Sequence, residues 1–202
     1  MRKVALAIAL LLPLTARAEM QLDGGQADHG VVVAARLGTQ LFSFNTNNNG
    51  TATASLSTLQ GGIFGGYKIK RIIFGLGFDL ARVANGANNN STATTSVLFS
   101  PGLSVAIVRS ADRRVELFAQ LDMGFGTTVT DPAIPNTSFF HFAYDVGPGL
   151  RYWPHPQFAV GALAGLGGQF EFDSTSVPNG PAVKTSTGLT SVFAQLQLTG
   201  VF

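Results

Sequence analysis

Residues 191–202, SVFAQLQLTGVF, divide cleanly by parity: Phe202, Gly200, Leu198, Leu196, Ala194 and Val192 on one side, Val201, Thr199, Gln197, Gln195, Phe193 and Ser191 on the other. Successive side chains of a β-strand point to opposite faces, so a strand here carries one apolar face and one largely polar face. That pattern suits a strand standing between hydrocarbon and a polar interior.

Working back from this stretch, the same period resolves seven more segments. Each is near the nine to eleven residues that a tilted strand needs to cross a bilayer, with some overhang. They run over 31–44, 56–70, 71–83, 95–109, 115–130, 139–153 and 157–172. The clearest are the third, with Ile72, Phe74, Leu76, Phe78 and Leu80 outward against Gly75, Gly77, Asp79 and Ala81, and the fifth, with Leu117, Ala119, Leu121, Met123 and Phe125 outward against Glu116, Gln120 and Asp122. With the terminal strand the count is eight. The fold expected is all-β: an eight-stranded antiparallel transmembrane up-and-down β-barrel.

The connections alternate in length. Short ones fall at Lys70-Arg71, at 110–113 and around Pro154-His155-Pro156; long ones rich in Asn, Ser, Thr and Gly fall at 45–55, 84–94, 131–138 and 173–186. Short turns belong on the periplasmic side and long loops outside, and an even strand number then leaves both termini in the periplasm. Aromatic residues near the strand ends, Tyr67, Tyr152, Trp153 and Phe158 below and Phe99, Phe140 and Phe172 above, are expected to form two interfacial girdles.

The first residues read as a secretory signal: Arg2 and Lys3, an apolar run over 4–14, then Ala16-Arg17-Ala18 before a cleavage point. The domain reading is a signal peptide over 1–18, a short periplasmic segment over 19–28 and the barrel over 29–202. Arg2, Lys3 and Arg17 leave with the signal, so ten of the thirteen Lys and Arg face eleven Asp and Glu in the mature chain. The pI near 9.2 therefore belongs largely to the precursor, and no basic footprint for nucleic acid is expected. With no cysteine, lipid attachment, disulfides and thiolate metal sites are excluded. A charged fraction of 12% is about half that of an ordinary soluble domain. The competing fold, an exported soluble barrel or sandwich, would bury Phe74, Leu76, Phe78, Leu196 and Leu198 and expose Arg36 and Asp122 to water.

The terminal strand closing on Phe202, the eight alternating segments and the loop rhythm together resemble the small outer-membrane barrels of the OmpA and OmpX kind. The resemblance implies residence in the bacterial outer membrane among its lipid and lipopolysaccharide, a monomeric barrel, and delivery by the barrel assembly machinery, for which Leu196, Leu198 and Phe202 would be the signal. Two-domain members carry a peptidoglycan-binding domain after the barrel; the sequence stops at the last strand, so wall binding by that route is not expected.

Eight strands enclose an interior just wide enough for side chains to fill. The inward parity supplies Arg36, Gln40, Lys68, Asp79, Glu116, Gln120, Asp122, His141, Asp145, Arg151, Gln169, Glu171, Gln195 and Gln197. A plug of ion pairs is expected, formed by Arg36, Asp79, Glu116, Asp122, His141, Asp145 and Arg151, with Arg36 at mid-depth among several carboxylates. A narrow ion or small-solute channel is the alternative. A lipid A-modifying enzyme, resembling the PagL deacylases or PagP acyltransferases, needs a His grouped with a hydroxyl and a carboxylate; Asp145 lies roughly 13 Å from His141 along its strand, too far for a dyad. No catalytic residues, cofactor or metal ligands are predicted, and what the outer loops touch is not written in their composition.

Overall fold

The computed structural model describes residues 27–46, 52–55, 59–85, 92–131, 137–175, 180–181 and 183–202. The described residues form nine strand segments: β1 (His29–Thr46), β2 (Ala52–Ser55), β3 (Leu59–Ile69), β4 (Ile72–Asn85), β5 (Thr92–Arg109), β6 (Val115–Asp131), β7 (Thr137–His155), β8 (Phe158–Thr175) and β9 (Val183–Val201). All neighbours are antiparallel, and β9 returns to pair with β1. β2 and β3 lie on the same edge of β1, one against Ser43–Thr46 and the other against His29–Thr39. They make a single stave, so nine segments build the closed eight-stranded barrel that parity predicts. The signal and the segment before the barrel fall almost entirely outside the described residues.

Closure satisfies the backbone where water is absent, since no strand edge is left open to hydrocarbon. The seam shows this locally: the Val31 N–H donates to the Phe202 carbonyl at 2.8 Å, and the Phe202 N–H donates back at 2.9 Å. Phe202 thereby sits inside the seam with its ring turned outward.

The outward face is apolar along a broad belt of the strands. Leu196 and Leu198 are 60% and 51% exposed and Phe74, Leu76 and Phe78 about as much, while Arg36 and Asp122 are buried. That is the reverse of what the soluble alternative requires. An apolar belt on this scale far exceeds the patches soluble monomers show and fits a lipid-facing wall.

Two short turns are spelled by their hydrogen bonds. Ile69 pairs with Ile72 across Lys70-Arg71, and Lys70 takes a φ of 53°, the first-position sign of a type II′ hairpin turn. At 110–114, Asp112 accepts from the Ser110 hydroxyl and from the Arg114 N–H at 3.1 Å. Those bonds, the Ser110 hydroxyl first, hold its carboxyl below the usual carboxylate range. A bulge between Ala106 and Val108 turns both Ile107 and Val108 outward at the foot of β5.

Candidate functional site

Alternation places one set of side chains from every stave in the lumen, and barrel shear decides which of them meet. The residues predicted as one polar plug separate into three groups.

The first lies toward the short-turn end, around Glu116. Its Oε1 accepts from the Trp153 indole at 2.9 Å and from Arg151 at 3.3 Å, while Oε2 accepts from Arg109 at 3.4 Å. Lys68 is also within electrostatic reach. Two aromatic faces share the cationic load: the Lys68 ammonium stands 4.3 Å over the Trp153 ring and the Arg151 guanidinium 4.2 Å over Phe118. Arg151 also donates to the Ser104 hydroxyl at 3.3 Å.

The second group sits at mid-depth. Arg36 Nη1 meets Asp122 Oδ1 at 3.1 Å, and its guanidinium carbon lies 4.3 Å over the Phe64 ring. Asp122 also accepts from Gln120, and Gln197 ties Gln120 to Gln195 through two bonds of 2.9 Å. Asp79 accepts from the Ser100 hydroxyl. Asp79, Asp122, Asp145 and Arg36 line a common cavity of only about 30 Å³, and a second of about 10 Å³ lies below Arg36 beside Gln120 and Arg151. The larger has room for about one water molecule.

The third group is His141 and Glu171, register partners on β7 and β8, with Nδ1 to Oε2 at 4.0 Å. It stands apart from the other two. Among the described residues, no three His, Cys, Asp or Glu gather as a metal site.

A glycine accompanies each mid-depth acid. Gly62, Gly102 and Gly167 are the cross-strand partners of Asp79, Asp122 and Asp145. A Cβ on any of the three would run into the carboxylate of its partner. Phe64 lies likewise against Gly66 and Gly75, and Phe118 against Gly149. At these positions a large side chain on one stave lies against a glycine on the next.

Two readings change. Trp153, expected in the lower aromatic girdle, is 2% exposed and lies in the lumen, because it shares the parity of His141, Asp145 and Arg151 on β7. The carboxylate nearest His141 is Glu171 across the ladder, which spacing along one strand does not reveal. Phe64, Phe118 and Arg109 also contact these groups and are not among the residues predicted for them; parity alone marks the two phenylalanines. The side chain of Gln40 lies outside the described residues.

No curated protein matches the sequence. Among solved structures, the chain is similar to neisserial surface protein A (NspA), with 14% identity over 86% of this chain and 97% of that one and a TM-score of 0.49. It is also similar to Ail, the attachment invasion locus protein of Yersinia pestis, in complex with the heparin analogue sucrose octasulfate (14%, 83% and 98%, 0.41), and to the outer membrane protein AlkL (12%, 92% and 95%, 0.41). The family described as the outer membrane protein beta-barrel domain matches residues 4–189. With nearly the whole sequence inside that match, the chain belongs to the outer membrane protein β-barrel family.

Proposed function

We propose that the protein is a structural or surface-interaction component of the outer membrane, with a lumen plugged to solutes and its contacts made through the long loops. The observation supporting this reading is how little space the described mid-lumen holds: cavities of about 30 and 10 Å³, both lined by the stacked and ion-paired Arg36. A narrow channel would need that guanidinium to swing away from both Asp122 and Phe64. In planar bilayers the purified barrel should give no discrete conductance steps; regular single-channel events would overturn the plug.

The same reading places the short turns in the periplasm, after export through the signal at 1–18, with delivery by the assembly machinery through Leu196, Leu198 and Phe202. The cysteine-free sequence makes the orientation easy to test. On intact cells a membrane-impermeant maleimide should label Lys184→Cys and leave Ala111→Cys unlabelled until the cells are opened. The converse pattern would invert the barrel. For the enzymatic alternative, lipid A from a strain lacking the gene should have an unchanged mass profile; a shifted profile would turn attention to His141 and Glu171.

A further inference from the structure

Among the described residues, the basic side chains of the short-turn rim gather in one sector. The turns Lys70-Arg71 and 110–114 carry Lys70, Arg71, Arg113 and Arg114, all exposed, with Arg109 between them. The third turn, 154–157, has no lysine or arginine. The two basic turns are stitched into one surface: Arg109 donates to the Lys70 carbonyl, Arg71 donates to the Ile107 carbonyl at 3.4 Å, and the Ala106 N–H donates to the Arg71 carbonyl at 2.8 Å. Against these five cations, the described residues offer three carboxylates: Asp112, the Asp28 that pairs with Arg109 and Arg113 at 3.7 Å, and the Glu116 that meets Arg109 at 3.4 Å from behind. Lys68 and Arg151 behind them, sharing Glu116, add to the positive field.

Backbone conformation supplies a second, independent observation. Two non-glycine residues among those described have positive φ, Lys70 at 53° and Arg113 at 55°. Glycine, asparagine or aspartate would take that conformation more readily. Both positions hold a cation instead, one in each turn of the same sector. Directly above them the wall is apolar and exposed, with Ile69, Ile72, Ile107, Val108 and Val115 outward. Cations at the foot of a lipid-facing wall lie at the height of phospholipid headgroups.

We propose that this sector, the foot of β3 to β6, is a binding surface for the phosphate headgroups of anionic phospholipids in the adjoining leaflet. An exposed cation near an anionic membrane surface favours association by about fivefold each, so four side chains in one sector give a marked preference over zwitterionic lipid. The surface rests on the orientation proposed above only for which leaflet it engages.

Native mass spectrometry of the folded barrel in detergent, titrated with phosphatidylglycerol or phosphatidylcholine of matched chains, tests this where the bilayer has no sides. The expected result is preferential retention of phosphatidylglycerol, weakened by salt and not displaced by inorganic phosphate. The variant Lys70→Gly/Arg113→Gly removes two cations and relieves two strained φ angles, so it should melt no lower than wild type while its preference falls roughly twenty-five-fold, at about fivefold per cation. Adding Arg71→Gln and Arg114→Gln should abolish the preference. The proposal is overturned if wild type retains both lipids equally, if the fourfold variant keeps its preference, if free phosphate strips the lipid, or if an acidic polypeptide binds the patch and the lipid does not. A lipid preference that survives alongside reversed maleimide labelling would refute the orientation and leave the surface standing.

Discussion

Gly75 and Gly65 are two residues of the same kind on adjacent staves with opposite surroundings. A Cβ on Gly75 would meet the Gly65 carbonyl, the Gly66 Cα and the Phe64 ring, whereas a Cβ on Gly65 would meet nothing within 4 Å. Gly75→Ala should therefore cost about 1–3 kcal/mol by overpacking, read as a lower midpoint of urea unfolding from lipid vesicles, and Gly65→Ala should leave the midpoint unchanged. Glu116 gives a sharper case, because it is 1% exposed and serves Arg151, Arg109 and the Trp153 indole together. Glu116→Leu strands buried cations and should destabilise by roughly 3–5 kcal/mol. Glu116→Gln keeps an acceptor for the indole and should fall between, measured in the same unfolding assay.

At the level of elements, the turn at 110–114 couples to pH with a definite sign. Asp112 has its carboxyl held below the usual range by the Ser110 hydroxyl and the Arg114 N–H, so its contribution is present at neutral pH and lost as pH falls through that lowered value. The protection of the Arg114 amide, taken relative to its intrinsic exchange rate at each pH, should fall on acidification in wild type, and Asp112→Asn should remove the step. The strands were legible from period two, since lipid and lumen demand opposite chemistry at adjacent positions. The pairing of strands was less so. His141 meets Glu171 only because β7 and β8 take a particular register, and that register depends on shear, which no single strand encodes. Trp153 departs from its expected place for another reason: its closeness to a strand end points to the girdle, whereas its parity, marked by Arg151 two residues earlier, points to the lumen.

For the whole molecule, the expected behaviour is that of a closed lipid-facing barrel: after detergent extraction it should migrate faster on gels before heating than after, and a protein extracted without detergent would contradict the apolar wall. What the sequence could name but not arrange was the interior, seven candidate residues that the three-dimensional register separates into groups around Glu116, Arg36 and His141. The glycines opposite Asp79, Asp122 and Asp145 have an implication for how such a sequence can drift. Each acid and its glycine share one fixed volume, so neither can change alone without crowding or emptying that level of the lumen. Relatives should therefore gain and lose them jointly, and exchanging the pair, Gly62→Asp with Asp79→Gly, should be tolerated far better than Gly62→Asp by itself. A barrel kept at eight strands by its wall can in this way rewrite its interior two positions at a time.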